Sequence, residues 1–387
     1  MSIVAGSVDI DFQTLVAPKS DGDVLVSPPA HAWQSIAEQN HEQLGRCDAT
    51  LLDRPLSHWR SAYRHAFGTP DDQWLTIVGH QPECYHAGVW AKYVVASRFA
   101  AAGGGKVLNL IVDNDAAKNL RIALPVMKDA AWHVQSSPLA PGGDHLIYEQ
   151  IPGLPNADVQ KLATQWREQW GTRYEDSCLP AFVDGLTAGP SERWVEQLRR
   201  GQKAIDARFD VSMDDCPVSR LPGDPITADM ILRPDEFSAC YNSALASYRK
   251  NHGIAGSKRP VPDLVREGDV FELPLWFLVG QSGAEGAARQ RLYVHCAGNQ
   301  RVLMAGTQEV VRISSEDVTE PAALYARLAE AGASIRPRAL TLTLIARLLL
   351  ADIFIHGIGG AKYDRMTDDL IRRYFGCQPP GFTCVSA

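Results

Sequence analysis

Residues 75–82 (LTIVGHQP) decide the fold, because a run of strand-forming residues ends there at a glycine and a polar loop. From about residue 88 to residue 101 the spacing of apolar residues becomes that of a helix. Strand, tight loop and helix in this order predict an α/β sheet that binds its ligand at the carboxyl ends of the strands. The helix N-terminus at that edge presents free N–H groups and a positive dipole end, both of which favour an anion.

The loop after this first strand is rich in side chains that need hydrogen-bond partners. His80, Gln81 and His86 follow Gly79, and Lys92 lies in the early part of the helix. Polar groups buried without partners cost free energy, so a merely connecting loop has little use for them. We therefore predict catalytic roles for His80, Gln81 and His86, and ligand contacts for Gly79 and Lys92. Purely structural histidines are the competing interpretation.

A second buried strand is predicted at residues 106–112 (KVLNLIV), and it ends at Asp113, Asn114 and Asp115. Parallel strands joined by a helix place their carboxyl ends at the same edge, so these side chains should lie beside the GHQP loop. We predict that Asp113 and Asp115 bind a cation, a ribose hydroxyl or an amine, or act as a base, and that Asn114 contacts substrate. An Asx-turn or a helix N-cap is the structural alternative.

Residues 352–364 (DIFIHGIGGAKYD) repeat this construction near the other end of the sequence. The glycines allow close approach of a ligand to the backbone, or positive φ angles, and a helix is predicted at 361–374. A lysine in the first turn of a helix opposes the helix dipole unless an anion balances it. We therefore predict that a nucleotide phosphate binds here, and that the two loops share one site. The predicted contacts are His356, Gly357, Gly359, Gly360, Lys362 and Tyr363.

A third candidate lies in the strand-like segment 271–279, which contains Pro274. Proline within a strand marks an edge or a bulge. Because side chains alternate along a strand, Glu272 and Trp276 are predicted to lie on one face. They could hold an amine or an amino acid, with Glu272 pairing the positive charge; a surface strand is the alternative.

The composition excludes several classes of protein. The 387 residues are 45% hydrophobic and 21% charged, with a net charge of −7, which is typical of a globular protein without a basic nucleic-acid face. The longest apolar stretch, 340–355, contains Arg347 and Asp352 and is too short to span a bilayer. The N-terminal residues lack the basic and apolar regions of a secretory signal. We expect a cytoplasmic protein with a small-molecule substrate that binds neither nucleic acid nor membrane; a homodimer stays open.

The eight cysteines are scattered and form no CxxC pair. With no signal peptide, we expect reduced thiols, no disulfide and no cysteine-bound metal. Cys84 lies inside the GHQP loop and is a candidate nucleophile, although a small buried apolar role is favoured.

The changes of pattern along the chain predict an α/β fold with a parallel core, a mainly helical insertion and a small antiparallel section. Residues 132–135 are a candidate third strand of the core. The predicted segments are an N-terminal arm with helices at 1–72, the first part of the core at 73–155, the helical insertion at 156–268, and the antiparallel strands with the second part of the core at 269–387.

Two groups of residues, one near each end of the chain, have the residue types and the spacing of motifs that occur together in one family. The first group is 79–82, Gly88, Trp90 and Lys92, followed by the short acidic cluster at 113–115. The second group is Arg336, Pro337, Gly357, Gly359, Gly360, Tyr363, Pro379 and Pro380. In these motifs, over about a quarter of its length, the chain resembles the cysteine-adding enzyme of bacillithiol biosynthesis. That family has a longer acidic cluster and a helical coiled coil after the proline pair, so we expect a divergent relative.

The resemblance implies a Rossmann-like core and a ligase that joins the carboxylate of cysteine to an amine on a sugar conjugate. A carboxylate and an amine do not condense unaided in water, so we expect ATP or another nucleotide to activate the acid as an acyl-adenylate or acyl-phosphate. Mg²⁺ is a candidate companion of the nucleotide. Two alternatives stay open: an enzyme that forms a carbon–sulfur bond with cysteine as thiol donor, and a nucleotide- or metabolite-binding protein without turnover.

Overall fold

The computed structural model describes residues 11–84, 86–103, 105–140, 146–189, 193–255, 261–279 and 288–387. Its strands are β1 (Leu25–Ser27), β2 (Thr50–Leu51), β3 (Arg54–Pro55), β4 (Leu75–His80), β5 (Lys106–Ile111), β6 (Arg121–Lys128), β7 (Ala131–Pro138), β8 (Asp214–Pro217), β9 (Arg266–Glu267), β10 (Val270–Val279), β11 (Ala288–Ala297), β12 (Gln300–Ala305), β13 (Gln308–Ser314), β14 (Ala333–Pro337), β15 (Ile353–His356) and β16 (Thr383–Ser386).

The α-helices are α1 (Trp33–Gly45), α2 (Leu56–Ala66), α3 (Ala87–Gly103), α4 (Asn156–Trp170), α5 (Thr172–Asp176), α6 (Leu179–Thr187), α7 (Trp194–Ala207), α8 (Pro225–Leu232), α9 (Pro234–Asn251), α10 (Ser315–Val318), α11 (Pro321–Glu330), α12 (Ala339–Ile345) and α13 (Ile358–Leu370). Short 3₁₀ turns occur at Phe12–Thr14, Ala30–Ala32, Tyr148–Gln150 and Val218–Arg220, and π-helical turns at Ala346–Leu350 and Ile371–Phe375.

The main sheet has six strands in the order β1-β16-β15-β4-β5-β8. Its strands are parallel except for β1, which pairs antiparallel with β16 at the edge. Ile77 and Val78, adjacent in β4, are both fully buried and enter different apolar clusters. Successive strand residues point to opposite faces, so both faces of this sheet are covered, as the apolar run predicts.

The predicted unit of strand, helix and parallel strand is confirmed by β4, α3 and β5. A second unit of the same kind is formed by β15, α13 and β16. From β4 the chain proceeds toward β5 and β8, whereas from β15 it proceeds toward β16 on the other side. The order therefore reverses between β4 and β15, which pair directly in parallel. Ligands of open α/β sheets bind in the crevice at such a reversal, and the loops that follow both strands lie at that edge.

Two strand assignments differ from the sequence prediction. Residues 132–135 belong to β7, which pairs only with β6 in a separate hairpin and is largely exposed, with Val134 at 77%. The edge strand β8 lies inside the segment 156–268 that was predicted as a helical insertion. Its sequence, DDCP, has no apolar strand pattern; a hydrogen bond of 2.9 Å from Asn109 Nδ2 to Asp215 Oδ1 accompanies its pairing with β5.

The remaining predictions of element type are largely confirmed. Helices α4 to α9 occupy the middle of the chain, and the second sheet is antiparallel with the order β13-β12-β11-β10-β14 and β9 beside β10. Helix α13 begins at Ile358, three residues before its predicted start, so that Gly359 and Gly360 belong to its first turn. In the part of the chain that the structure describes, no helix combines the length and the apolar character that a bilayer span needs.

Candidate functional site

A cavity of about 780 Å³ opens at the carboxyl ends of β4 and β15. Cavities of this volume are large enough for a small-molecule ligand. Both predicted loops contribute to its wall, which confirms that they share one edge of the sheet. The predicted site residues that line it are Gly79, His80, Gln81, His86, Lys92, Asn114, Asp115, Trp276, His356, Gly357, Gly359, Gly360 and Lys362. Three others, Asp113, Glu272 and Tyr363, are absent from the lining.

His80, Gln81 and Asp115 form the polar wall at the end of β4 and β5. The Gln81 Nε2 amide donates to Asp115 Oδ2 over 3.0 Å, which fixes the side chains of both residues. His80 Nδ1 lies 3.0 Å from the carbonyl oxygen of Gln81. A carbonyl only accepts, so Nδ1 carries the proton in the neutral ring and Nε2 is the basic nitrogen. Burial and the nearby charge of Lys92 lower the pKa of His80, which favours this neutral form.

Lys92 brings a buried amine to the same cavity from the second turn of α3. Its side chain is 5% exposed, and its Nζ donates to the carbonyl oxygen of Gly79 over 2.9 Å. No carboxylate of the described residues forms an ion pair with it. Burial lowers the pKa of Lys92 to about 8. A cavity-lining cation whose charge is so poorly compensated is suited to binding an anion.

His86 accepts a hydrogen bond from the backbone at the N-terminus of α3. Its Nδ1 accepts a hydrogen bond of 3.0 Å from the backbone N–H of Gly88, and its carbonyl accepts from the N–H of Val89 over 3.0 Å. The exposed ring of His86 thus caps the helix while it lines the cavity. The cap is a structural role that accompanies the predicted chemical one.

The N-terminus of α13 forms the opposite wall. Gly357 is its N-cap and offers no side-chain cap, and the first intrahelical bond runs from Ala361 N to Gly357 O over 2.9 Å. The amides of Ile358, Gly359 and Gly360 therefore have no acceptor within the helix. Lys362 adds a partly exposed cation to this wall.

The two glycines of this first turn have different surroundings. A Cβ at Gly360 would lie 2.8 Å from His356 Nδ1, whereas a Cβ at Gly359 would meet no atom within 4 Å. Neither residue has a positive φ. Glycine at position 360 was predicted to allow close approach of a ligand or a positive φ. The structure gives a different reason, because a side chain there would collide with the His356 ring. Gly359 is the position at which backbone is open to the cavity.

His356 is held by a buried ionic network. Its Nε2 donates to Asp364 Oδ2 over 2.9 Å, and Arg347 Nη1 donates to the same oxygen over 2.7 Å. Burial raises the pKa of Asp364, but the Arg347 guanidinium and His356 outweigh it and hold that pKa well below its usual range. The ring is also packed edge-on against Phe382, with 5.0 Å between centroids. His356 is therefore rigidly oriented where it lines the cavity.

Asn114 carries a buried acceptor that lacks a partner. Its Nδ2 donates to the Pro337 carbonyl over 2.7 Å, which links the main sheet to β14. Its Oδ1 has no hydrogen-bond partner in the described residues, although Asn114 is only 2% exposed. Buried polar atoms are rarely left unpaired, and this one has almost no accessible surface, so a contact with a ligand or water requires a small movement of the Asn114 side chain or its neighbours.

Trp276 contributes to the cavity wall from the side of the second sheet, and two arginines stack on its ring. The Cζ atoms of Arg289 and Arg338 lie 4.2 and 5.0 Å from the centre of the Trp276 ring. Arg338 also lines the cavity. No local sequence pattern assigns a role to Arg338, because its partners Glu272 and Trp276 both come from β10.

Glu272 does not contact the cavity, and its predicted role in binding substrate is corrected. Its side chain is fully buried and accepts hydrogen bonds from Arg338 Nη1 over 2.8 Å and Arg291 Nη1 over 3.3 Å. The ladder between β10 and β11 is irregular from Glu272 to Trp276, which agrees with the bulge expected at Pro274. A carboxylate already paired with two guanidinium groups supports Arg338 instead of a ligand's amine.

Asp113 also departs from its predicted place. It is 2% exposed and accepts hydrogen bonds from Ser219 N over 2.9 Å and Ser219 Oγ over 2.5 Å. Burial raises the pKa of this carboxyl against the effect of those bonds. Asp113 thus fastens the turn after β8 to β5, a structural role that differs from the local Asx-turn or N-cap given as the alternative.

Two further candidates have surroundings that disagree with the predicted chemistry. Tyr363 is 49% exposed on the outer side of α13 and does not line the cavity. Burial raises the pKa of the Cys84 thiol to about 12, so that a thiolate nucleophile is disfavoured there. Cys84 packs instead against an apolar cluster.

Part of the cavity wall consists of residues that no sequence motif identifies. Residues 15–17 of the N-terminal arm and Ser386 at the end of β16 line the cavity. Among the described residues, no group of three or more His, Cys, Asp or Glu side chains is arranged to hold a metal ion. Comparison of the chain with protein-family models and with curated proteins found no match.

Proposed function

We propose that this chain is an enzyme that binds a nucleotide through its phosphates in the cavity between β4 and β15. Its reaction joins the carboxylate of cysteine, or another amino acid, to an amine of a small-molecule acceptor. The observation that carries this proposal is the convergence of the α13 N-terminus and the buried Lys92 on one cavity. An anion is the ligand that compensates both the helix dipole and the lysine charge.

A Rossmann-like core belongs to this proposal. It is supported by the β4–α3–β5 unit and by the reversal of strand order beside β15. Nucleotides bind across the carboxyl ends of strands at such a reversal. The same two loops carry the resemblance to the cysteine-adding enzyme of bacillithiol biosynthesis, which suggests the amide-forming reaction. A cytoplasmic, reducing compartment suits a substrate that must stay a thiol.

The described residues divide into two sets of proposed roles. Lys92, Lys362 and the open amide of Gly359 bind phosphate, while Asn114 Oδ1 accepts from a hydroxyl or amine of a substrate. Asp115 is 31% exposed and lines the cavity, so beside its contacts with Gln81 and Arg289 it can also accept from the amine. The nucleotide, ATP as first candidate with Mg²⁺ beside its phosphates, supplies the activation of the carboxylate.

Formation of an amide also requires removal of a proton from the attacking amine. The Nε2 atom of His80 is a suitable acceptor, because the Gln81 carbonyl fixes the tautomer and the pKa of the ring is lowered. Asp115, which accepts from Gln81 on the same wall, is the alternative acceptor.

Product analysis tests this function. The full chain is incubated with cysteine, ATP and an amino-sugar conjugate, and the products are separated and weighed by mass spectrometry. An amide formed with consumption of ATP supports the ligase. A thioether formed without ATP would support the carbon–sulfur enzyme instead, and tight ATP binding with no turnover would support a binding protein.

Matched variants connect the activity to the cavity. Lys92→Met and His80→Gln should each reduce turnover at least about ten-fold, the effect of losing one charged or proton-accepting contact worth 1.4 kcal/mol. Lys106→Met is the control, because Lys106 begins β5 at the opposite edge of the sheet and its Nζ donates to the Gly68 carbonyl. Equal losses in all three variants would argue against the assigned roles.

A further inference from the structure

Two thiols that are distant in sequence meet outside the cavity. Cys47 follows α1, and Cys377 follows the π-helical turn Ile371–Phe375. Their Sγ atoms are 2.7 Å apart, across a sequence separation of 330 residues. A disulfide needs about 2.05 Å between its sulfur atoms, so the two sulfur atoms are already close to bonding distance.

The two thiols differ in their chemistry. The hydrogen bond between the two sulfur atoms lowers the pKa of Cys47 to about 7; burial acts in the opposite direction, and a backbone hydrogen bond at Ala49 adds a smaller lowering. The same bond and burial raise the pKa of Cys377. Cys47 is only partly buried, whereas Cys377 is 9% exposed. Cys47 thus has the features of an attacking thiolate and Cys377 those of a second thiol held beside it.

We propose that Cys47 and Cys377 form a redox-responsive pair that a low-molecular-weight disulfide, such as oxidised glutathione, converts into an intramolecular disulfide. The Cys47 thiolate attacks one sulfur of the oxidant, which releases one thiolate and leaves a mixed disulfide. Cys377 loses its proton, attacks Cys47 Sγ and displaces the second thiolate. Two protein thiols are oxidised, and one oxidant disulfide is reduced to two thiols.

The new bond would connect α1 to a segment that already supports the cavity. Asn40 of α1 donates to the Gly381 carbonyl over 2.8 Å, and Arg347 donates to the Pro380 carbonyl. Phe382, the next residue, packs against His356. A cross-link between residues so distant in sequence restricts the unfolded chain strongly, so oxidation should stabilise the fold.

The test uses the full chain, titrated with mixtures of oxidised and reduced glutathione. The expected result is the loss of two hydrogen atoms from the intact mass, a peptide that joins Cys47 to Cys377, and a Tm several degrees higher, all reversed by dithiothreitol. Peptide mapping of the wild type decides the proposal even if a variant fails to fold. A cross-link between other cysteines, or glutathione adducts with no cross-link, would overturn it.

Variants separate the two roles. Cys377→Ala should leave Cys47 as a stable mixed disulfide with glutathione, whereas Cys47→Ala should leave Cys377 unmodified. Cys240→Ser and Cys296→Ser are controls, because these thiols are partly exposed and the pKa of each is raised mainly by burial. Loss of the cross-link in either control would contradict the assignment.

Discussion

Single side chains of the cavity differ in how well their charges are compensated. Asp115 is bonded to Gln81, and its Oδ1 lies 3.3 Å from Arg289 Nη1. Lys92 has a carbonyl oxygen as its partner and sits within the protein. Such a lysine lowers stability when it is charged, and binding sites are where proteins retain groups of this kind. We conclude that Lys92 is the residue whose presence most needs a ligand to explain it.

The pH dependence of stability should show this cost. The folded pKa of Lys92 is about 8 against 10.5 for the free side chain. Below pH 8 Lys92 is protonated in both the folded and the unfolded state, so the folded state is destabilised by the full cost of burying the ammonium group. As the pH rises from 8 to 10.5 the folded state loses its proton first, so the free energy of unfolding increases by a Lys92 contribution on the order of 3 kcal/mol.

Urea unfolding at several pH values checks this expectation against Lys92→Met, which cannot titrate. The difference in free energy of unfolding between variant and wild type should shrink between pH 8 and 10.5. A constant difference across that interval would show that the ammonium is not buried as described.

A second prediction concerns Asp364, which accepts from both Arg347 and His356. Asp364→Asn removes one of the two carboxylates opposite the buried Arg347, which keeps its bond of 2.6 Å to Asp368 Oδ1, so we expect a loss of about 1.5 to 3 kcal/mol, as for a hydrogen bond to a charged group. Asp369→Asn is the control, because its partner Arg373 is 39% exposed and surface pairs contribute about 0 to 1 kcal/mol. Thermal unfolding measures both variants, and similar losses of stability would refute the distinction.

Among helices and strands, the N-terminus of α13 gives the sharpest test of anion binding. Gly359→Val places a side chain in open space on the cavity wall, so the fold should persist while ATP binding weakens at least about ten-fold, or 1.4 kcal/mol. Gly360→Ala instead forces a contact with the His356 ring and should lower the Tm. Calorimetry with ATP decides the matter: unchanged affinity in a folded Gly359→Val protein would exclude phosphate at this helix.

Elements with strong local patterns could be predicted from the sequence, and those that depend on distant partners could not. The apolar runs of β4 and β5 and the helical spacing of α3 are signals contained in the segments themselves. The strand β8 has a polar sequence, and it is a strand because its backbone pairs in parallel with the edge of β5. No local pattern distinguishes it from a loop.

The candidate site divides in the same way. Both loops follow predicted strands, so their meeting at one edge could be deduced from the parallel arrangement. The carboxylates of Asp113 and Glu272 were misassigned, because their partners Ser219 and Arg338 are 106 and 66 residues away. The sequence identifies which side chains are chemically able to act in a site. Whether such a side chain is already hydrogen-bonded or ion-paired depends on residues that are distant in sequence.

The whole chain is interleaved, because the main sheet takes strands from both ends of the sequence. Strand β15 lies between β4 and β16, and β1 at the edge pairs with β16. Buried Asp352, just before β15, accepts from Arg60 over 2.6 Å, from Arg64 over 2.9 Å and from Leu75 N over 2.7 Å. The first half of the chain therefore depends on the last part to pair its central strand and to neutralise two buried arginines.

This interleaving predicts that residues 1–268 do not fold alone. That fragment would expose the edge of β4, leave β1 unpaired, and lose both Asp352 and the carbonyl groups of residues 348–351 that bind Arg60 and Arg64. Circular dichroism should show no cooperative thermal transition. The control is a full chain cleaved at the Asp129–Ala130 turn of the exposed β6–β7 hairpin, which should keep its transition, since this turn lies outside the main sheet. A cooperative transition in the fragment would mean that β4 and β5 fold without β15, and that the cavity is assembled from two independent units.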